Sequence, residues 1–527
     1  MPAAPSAPIL TGLLILSDPR GVMPTGTPTV QGVAVRGVPV LDREDFKTRM
    51  AGHLGQPLSE VNRTAIVNDV VRYLRSRAHI LVDVVLPPQE LTGGVLQVLV
   101  LQGKVGRVRV EGGRWFRPQT LAGQLSVRPG QDIDAEKLGG DLDWLNRNPF
   151  RQVELVYAKG AQFGQTDLVL QEKDRFPLSV FGSYDDSGTS ETGNNRLTAG
   201  VNWGNFFGHD GQASYQYSAD PAFKWFRAHS ASLTQPLPWR HTLTVFGNYA
   251  DTHGNLAPPF DMGGFNWQAS ARYEVPLPRL HSGILLYQEA LVAGFDFKRS
   301  NSDLAFGGTQ VFGAMTDTVQ WSLGYNSTLK DPWGNNSLRA TLTFSPGHWT
   351  ENDTDAAYQL SRAGATARYT YGRIDLSRNT GLPWGFALVS QLTVQRSDTN
   401  LLASEQLGFG GYDTIRGYDT RVVNSDQGYI ISNELRTPPM RVLPLLHVRQ
   451  VDDRFQLLGF FDYGSASNRD LLEGEQPQTV LAGIGPGVRY TVSTHVSLRA
   501  DYGWQLHDAQ SDRPYASRSH LGLTVTY

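Results

Sequence analysis

Residues Val496 to Leu506 read VSLRADYGWQL, in which apolar and polar side chains alternate. A β-strand points successive side chains to opposite faces, so one face of this segment is apolar and the other carries Arg499 and Asp501. The last segment of the chain repeats the pattern, with one face formed by Leu521, Leu523, Val525 and Tyr527. Many such segments in series, with the charged face turned inward, are typical of a transmembrane β-barrel.

The same alternation recurs from about residue 178 to the C-terminus and predicts about sixteen strands, an even number, as in single-chain bacterial barrels. Soluble β-sandwiches and propellers show similar alternation, with their apolar face inside. The aromatic-rich apolar face, the charged opposite face and the aromatic terminal strand favour the membrane barrel. The predicted strands are 178–186, 195–204, 211–219, 227–236, 241–251, 265–275, 283–297, 318–328, 335–346, 364–376, 384–397, 427–437, 455–464, 479–490, 494–506 and 518–527.

The composition agrees with an exported barrel. The chain has 55 Gly, 20 Tyr, 23 Phe and 11 Trp, which suit tight turns and aromatic girdles at the two membrane interfaces. A net charge of -3 gives no electrostatic case for binding nucleic acid. The chain has 0 Cys, so disulfides, thiolate metal sites and cysteine nucleophiles are excluded.

Residues 1–28 are predicted to form an N-terminal extension or linker, since their prolines disfavour a long helix. The apolar run Ile9 to Ile15 is not preceded by a basic region, unlike a secretory signal peptide. Because an outer-membrane protein must be exported, we expect that a leader was removed or replaced at Met1.

Two small α+β modules are predicted before the barrel, over residues 29–103 and 104–175, with the barrel over residues 176–527. Each module follows the order strand, helix, helix, strand, strand. In the first, Val67, Val70, Val71 and Leu74 lie on one face of an amphipathic helix. In the second, Leu138, Leu142 and Leu145 share a helix face. The recurrence indicates a repeated architecture.

The longest interval without a predicted strand, about residues 398–427, contains LGFGGYDTIRGY over Leu407 to Tyr418. Such a long loop in a compact protein is usually functional. The alternation places Asp462 and Glu434 on the inner face of their strands. Either the loop folds inward and Arg416 pairs with these acids through its planar fork, or the acids line a wet lumen, where screened charges contribute little.

These motifs resemble the Omp85 superfamily. Ile415-Arg416-Gly417-Tyr418 looks like its [V/I]RGY loop. Phe461-Asp462-Tyr463-Gly464 looks like its F-x-D-x-G partner strand, with Phe461 taken as the aromatic, although Phe460 stands two residues before Asp462. The two modules resemble POTRA domains. Two such domains before a sixteen-stranded barrel are similar to the two-partner secretion transporters, the TpsB group of filamentous haemagglutinin or haemolysin type.

The resemblance implies an outer-membrane transporter whose POTRA domains lie in the periplasm. They would capture a TpsA-like exoprotein in extended form, partly by strand addition, and the barrel would conduct it outward without ATP. Many members begin with a plug helix, which the proline-rich start does not predict here. The implied contact between loop and barrel wall comprises Arg416, Gly417, Tyr418, Glu434, Phe461, Asp462 and Gly464.

The resemblance also implies other partners. Tyr527 would be the C-terminal signal read by the barrel assembly machinery, and the apolar face would meet outer-membrane lipid and lipopolysaccharide. We expect a monomer.

Three other functions stay open at this stage. An assembly factor of the same superfamily usually carries more POTRA domains, and a passive porin needs neither the modules nor the loop. A surface enzyme or adhesin fused to a barrel lacks a further domain of sufficient length. The motifs G-x-S-x-G, H-E-x-x-H and G-x-x-x-x-G-K-[ST] do not occur, so the sequence predicts no enzyme, no cofactor and no metal.

Overall fold

The computed structural model forms two compact units, Met1–Phe176 and Pro177–Tyr527. Among the described residues, no helix is both long and apolar enough to cross a membrane. Parts of the predicted extension, of the first module and of the strand predicted over 283–297 lie outside the described residues. The structure describes residues 7–27, 30–78, 82–162, 164–254, 259–278, 280–282, 285–306, 309–448, 450–507 and 516–527.

The first module of the N-terminal unit packs two helices on a sheet of order β2-β1-β4-β3. The buried face of its longer helix carries Ile66, Val70 and Leu74, which pack with Phe46 and Met50. The helix predicted from Val70 and Leu74 is therefore present. The elements are β1 (Gly12–Leu16), β2 (Gly32–Arg36), α1 (Glu44–Ala51), α2 (Glu60–Ala78), β3 (Val82–Val85) and β4 (Val95–Gln102).

The prediction that residues 1–28 form an extension or linker was wrong for Gly12–Leu16. All five of these residues are buried, and β1 pairs in parallel with both β2 and β4. Leu13 and Ile15 enter one apolar cluster, whereas Leu14 and Leu16 enter another. A strand buried on both faces reads as a continuous apolar run without alternation. Prolines that prevent a helix do not prevent a strand between them.

The second module repeats the helix pair on a sheet of order β5-β7-β6. Leu138 and Leu145 of its second helix are buried against that sheet. Asp134 caps the helix, because its side chain accepts hydrogen bonds from the backbone N–H groups of Glu136 and Lys137. The elements are β5 (Lys104–Gly112), α3 (Pro118–Gly123), α4 (Ala135–Leu145), β6 (Arg151–Lys159) and β7 (Gln165–Asp174).

The second unit is a closed antiparallel barrel of sixteen strands, as predicted, with the short β14 beside β15. The strands are β8 (Leu178–Asp185), β9 (Arg196–Phe206), β10 (Gly211–Ala219), β11 (Phe226–Pro236), β12 (Thr242–His253), β13 (Phe260–Pro276), β14 (Leu280–Ser282), β15 (Leu285–Phe306), β16 (Thr309–Asp331), β17 (Gly334–Ser345), β18 (Tyr369–Gly381), β19 (Ala387–Ser397), β22 (Gln427–Arg436), β23 (Asp453–Ser467), β24 (Thr479–Val492), β25 (Val496–Gln505) and β26 (Ser517–Thr526). The connections contain α5 (Asp355–Ser361) and the small hairpin β20 (Leu407–Phe409) with β21 (Val423–Ser425).

The barrel closes where β26 pairs with β8, from Gly522 opposite Asp185 to Thr526 opposite Phe181. The two faces follow the predicted alternation. In β25, Tyr502 and Trp504 are exposed on the outer face, whereas Asp501 is buried inside. The outer face is therefore the one that meets lipid.

One hairpin is longer than predicted. β15 and β16 reach Phe306 and Thr309, although the alternation predicted strands only over 283–297 and 318–328. The register between them continues into this extension, apart from one shift near Leu304. The sequence from Lys298 to Asp303 is polar at every position. Lipid contact on one face imposes alternation, so strands that continue past the apolar band need not show it.

Candidate functional site

The loop that joins β19 to β22, residues 398–426, packs against the inner wall of the barrel. Its hairpin β20–β21 and the segment between these two strands bury Phe409, Ile415 and Tyr418. These side chains contact Ile430 of β22 and Leu481 of β24. A loop with its own apolar cluster is held by packing as well as by its charged tip. We call residues 398–426 the inner loop.

Arg416 at the tip of the inner loop makes a two-point contact with Asp462 of β23. Its Nε lies 2.7 Å from Asp462 Oδ2, and its Nη2 lies 2.8 Å from Asp462 Oδ1. The backbone N–H of Arg416 also donates to Oδ2 at 3.1 Å. Nη1 reaches Glu434 Oε1 at 2.6 Å. Only 2% of Arg416 is exposed. Burying such a pair is tolerated when its geometry is good and further hydrogen bonds satisfy it, as they do here.

The contact belongs to a larger charge network on β22, β24 and β25. Glu434 also accepts from Arg436 at 2.5 Å and from Arg489 at 2.6 Å. Asp501 pairs with Arg489 at 2.7 Å and with Arg499 at 2.8 Å. Four arginines and three acids thus share contacts across the wall, and Glu434 and Asp501 each have three cationic partners. The charge network consists of Arg416, Arg436, Arg489, Arg499, Glu434, Asp462 and Asp501.

Phe460, and not Phe461, contacts the inner loop. The guanidinium carbon of Arg416 lies 3.7 Å from the centroid of the Phe460 ring, a cation–π contact. Phe460 is 3% exposed, whereas Phe461 is 42% exposed on the outer face. The prediction that Phe461 joins the contact was therefore wrong. Phe460, Asp462 and Gly464 share one parity, so the F-x-D-x-G spacing starts at Phe460 and points all three side-chain positions inward.

Glycines in the wall allow the inner loop to approach the strands. A Cβ at Gly464 would lie 2.5 Å from Ile415 Cδ1, and a Cβ at Gly483 would lie 2.0 Å from the carbonyl oxygen of Arg416. A Cβ at Gly503 would lie 2.6 Å from the nitrogen of Gly417. A larger residue at these positions would displace the backbone of the loop. Gly464 therefore lies where the sequence predicted it, beneath the loop.

Hydrogen bonds of Gly417 and Tyr418 hold the loop backbone that follows Arg416 against the barrel wall. Gly417 has φ 97°, a conformation that glycine adopts without strain. Its N–H donates to His520 Nε2 at 3.1 Å, and its carbonyl accepts from Gln505 Nε2 at 2.7 Å. The hydroxyl of Tyr418 donates to the carbonyl oxygen of Ala482 at 3.0 Å. The structure thus brings Arg416, Gly417, Tyr418, Glu434, Asp462 and Gly464 together at one place.

Sequence reasoning missed several residues of this site. Arg489, Gln505 and His520 were not singled out, and Arg499 and Asp501 were only placed on a polar face. The alternation could have placed all of them inside the barrel. It could not show that they meet the loop, because their positions depend on the register of four neighbouring strands.

Tyr527 lies apart from the inner loop. Its backbone pairs with Val180 of β8 through two hydrogen bonds of 2.8 and 2.9 Å. The residue is 90% exposed.

Comparison with known proteins decides the family. Residues 164–490 match the family described as haemolysin secretion/activation protein ShlB/FhaC/HecB, and residues 29–103 match the ShlB-type POTRA domain. The chain belongs to this family. Its function is therefore that of an outer-membrane transporter which secretes a partner exoprotein, with the POTRA region on the periplasmic side.

Two relatives match most of this chain in sequence. The outer membrane transporter CdiB of Dickeya dadantii is 24% identical over 416 residues, which cover 75% of this chain and 70% of that protein. The heme/hemopexin transporter protein HuxB of Haemophilus influenzae is 23% identical over 487 residues, which cover 86% and 80%.

Solved structures agree on the fold. CdiB from Escherichia coli superposes with a TM-score of 0.76 at 18% identity, covering 100% of this chain and 92% of that one. BamA from Haemophilus ducreyi, lacking POTRA domains 1–3, gives 0.55 at 12% identity, covering 96% and 100%. The likeness to BamA concerns the fold alone, and the ShlB/FhaC/HecB family assigns transport rather than barrel assembly or passive diffusion.

Proposed function

We propose that the inner loop holds the transporter in its resting state through Arg416 and that secretion requires this contact to rearrange. The observation that carries the proposal is the buried two-point contact between Arg416 and Asp462. Such a contact has one geometry, so it defines a docked position from which the loop can be released as a unit. An exoprotein passing through the lumen needs space beside the inner wall that the docked loop occupies.

The experiment is export by Arg416→Ala. We expect the variant barrel to fold and insert, because backbone pairing between its strands continues around the whole wall. We expect secretion of the exoprotein to fall, because the loop must return to its docked position after each exported chain and cannot do so without Arg416. Heat-modifiable migration in gels would report folding, and exoprotein in the medium would report secretion. Normal export by a folded Arg416→Ala barrel would overturn the proposed role.

We further propose that the N-terminal unit captures the exoprotein as an extended chain. The support is the presence of edge strands. β6 lies at one edge of the second sheet, and Val156 and Tyr157 on it are exposed apolar residues. An edge offers backbone N–H and C=O groups to which an extended chain can add as a further strand. Residues 104–175 would then act as a second POTRA domain, since they repeat the helix pair and sheet of the first module.

Capture can be tested in the full chain, which has 0 Cys. A cysteine at Tyr157, carrying a photo-crosslinker, should crosslink to the secretion domain of the exoprotein. A cysteine at Glu136, exposed on α4, is the matched control and should not crosslink. Equal crosslinking at both positions would argue against strand addition at β6.

We also propose that Tyr527 is the signal read by the barrel assembly machinery. Its exposed ring is accessible while its backbone closes the barrel against Val180. The barrel would act as a monomer surrounded by lipid and lipopolysaccharide. Tyr527→Ala should slow membrane insertion in cells while the purified protein still refolds in detergent. Unchanged insertion of Tyr527→Ala in cells would contradict the proposal that Tyr527 is the assembly signal.

A further inference from the structure

His520 connects the inner loop to the closing seam of the barrel. It lies on β26, the last strand, and it is buried. Its Nε2 accepts the N–H of Gly417 at 3.1 Å, and its Nδ1 lies 2.7 Å from Asp186 Oδ2. Asp186 directly follows β8, the first strand of the barrel. One imidazole ring therefore joins the loop, the last strand and the end of the first strand.

The two contacts require opposite roles of the two ring nitrogens. The N–H of Gly417 needs an acceptor, so Nε2 carries no proton. The carboxylate of Asp186 needs a donor, so Nδ1 carries the proton. A neutral imidazole with its proton on Nδ1 satisfies both groups. The second nitrogen of such a ring is oriented by the hydrogen bond that the first one makes, so the two contacts support each other.

Asp186 also holds the seam directly. Its Oδ1 accepts the backbone N–H of Leu521 at 3.0 Å, and its own N–H donates to the carbonyl oxygen of Leu521 at 3.2 Å. The register between β26 and β8 runs only from Gly522 to Thr526 on β26, whereas the register between β25 and β26 runs from Val496 to Trp504 on β25. Asp186 thus extends a short strand pairing by one residue at the end where the loop lies.

Other contacts of the inner loop with β26 lie beside His520. A Cβ at Gly522 would lie 2.1 Å from the hydroxyl oxygen of Tyr412. Arg518 forms an ion pair with Asp419 of the loop and lies 3.8 Å from Asp186 Oδ2. The loop therefore rests on the strand that closes the barrel, in addition to its contact with the charge network on the neighbouring strands.

We propose that His520 and Asp186 are positioning residues that couple the docked position of the inner loop to closure of the seam between β26 and β8. When Gly417 moves away from His520, the imidazole ring loses one of the two hydrogen bonds that orient it. Its hydrogen bond to Asp186 then weakens. Release of the loop then loosens the seam. The inference rests on the proposed role of the loop, and its test measures the two movements without measuring secretion.

Two substitutions of His520 separate its two contacts. Asparagine places an amide N–H near the position of Nδ1, so His520→Asn keeps a donor for Asp186 and loses the acceptor for Gly417. Glutamine places an amide oxygen near the position of Nε2, so His520→Gln keeps an acceptor for Gly417 and loses the donor for Asp186. If His520 only filled space, both substitutions would have the same effect on the loop and on the seam.

The seam can be followed by a cysteine pair at Ser183 and Thr524, which are register partners across it in a chain with 0 Cys. Val180 and Tyr527 form a hydrogen-bonded pair, so by alternation Ser183 and Thr524 form a non-hydrogen-bonded pair, whose Cα separation suits a disulfide. The loop can be followed by thiol labelling of a cysteine at Ile415, which is buried when the loop is docked. Both readouts use the full chain in lipid vesicles, restricted to the heat-modifiable, folded fraction.

We expect Arg416→Ala to slow disulfide formation at the seam by about fivefold or more, the lower end of ordinary coupling between sites. In the presence of His520→Asn, Arg416→Ala should no longer change the rate. His520→Gln alone should slow disulfide formation while Ile415→Cys stays protected from labelling.

The proposal is overturned if Arg416→Ala exposes Ile415→Cys to labelling but leaves the rate of disulfide formation at the seam unchanged. It is also overturned if Arg416→Ala slows disulfide formation by the same factor in the presence and in the absence of His520→Asn. Normal secretion by Arg416→Ala would instead count against the proposed function, whatever the seam does.

Discussion

Arg416 and Asp462 lie 46 positions apart in sequence and meet through both carboxylate oxygens of Asp462, at 2.7 and 2.8 Å. Removing one partner of a buried pair leaves the other charge uncompensated and costs about 3–5 kcal/mol. Arg416→Ala should therefore displace the docked loop strongly. Arg416→Lys should have an intermediate effect, because lysine keeps the charge but cannot make a planar two-point contact.

The measurement for these variants is the frequency of spontaneous openings in planar bilayers, which we expect to rise in the order wild type, Arg416→Lys, Arg416→Ala. Arg454→Ala removes an exposed arginine from the same strand as Asp462 and is the matched control. If Arg416→Lys behaved as wild type, charge alone would account for docking and the two-point geometry would be irrelevant.

The wall glycines give a steric prediction. Gly483→Ala should shift the inner loop, because the new Cβ would lie 2.0 Å from the carbonyl oxygen of Arg416. Overpacking of this kind costs about 1–3 kcal/mol. Gly459→Ala is the control, since a Cβ there meets nothing within 4 Å. We expect thiol labelling of Ile415→Cys to increase with Gly483→Ala and to stay unchanged with Gly459→Ala. Equal labelling would mean that the loop tolerates a larger wall residue.

The sequence predicted the barrel well because lipid imposes a local rule. Every strand that meets lipid must alternate, so each could be read from about ten residues without knowledge of its neighbours. The inward orientation of Asp462 and Glu434 followed from the same rule. β1 was missed because its apolar run is covered on both faces and therefore does not alternate.

The side-chain contacts of the site were harder to predict than the face of the strand on which each residue lies. Phe460 and Phe461 are adjacent phenylalanines, and only their parity relative to Asp462 separates the one that touches Arg416 from the one that faces outward. His520 and Asp186 lie 334 positions apart and meet only because the barrel closes. Such contacts depend on register and closure, which no local pattern encodes.

Another buried carboxylate, Asp426, joins the connections that follow β17, β19 and β23. The POTRA region precedes β8 on the periplasmic side and the strands alternate in direction, so these connections lie at the cell-surface end of the barrel. Arg362, in the connection after β17, reaches its two oxygens at 2.5 and 3.0 Å. The backbone N–H groups of Leu401 and Arg469 donate to it at 2.9 and 3.1 Å. Asp426→Asn removes the charge that pairs with Arg362 and should loosen these connections. We expect faster cleavage of the connections by protease added outside whole cells.

The control for this prediction is Glu473→Gln, an exposed acid in the same group of connections. Its substitution removes one negative charge without touching Asp426. If Asp426→Asn and Glu473→Gln were cleaved at the same rate as the wild type, the contact with Arg362 would not limit opening of this end.

The N-terminal unit gives a prediction about pH. Partial burial raises the pKa of the Asp69 carboxyl, but hydrogen bonds from His53 at 2.8 Å and Arg49 at 3.2 Å lower it by more, so its pKa lies below the ordinary value. A carboxyl whose pKa is lower in the folded state stabilises that state above its unfolded pKa of about 3.9. This stabilisation is lost as the pH falls through the lower, folded value. With 21% of the Asp69 side chain exposed, we expect a contribution of about 0.5–1 kcal/mol.

Hydrogen exchange of α1 and α2 in the full chain, corrected for the intrinsic effect of pH, measures this contribution. Asp69→Asn should reduce protection at neutral pH by a few-fold, and the difference from wild type should vanish once Asp69 is protonated, because both proteins then lack the charge. Asp83→Asn, at an exposed position on β3 outside both helices, should leave protection unchanged. A difference between Asp69→Asn and wild type that persisted at acidic pH would show that Asp69 acts through packing rather than through its charge.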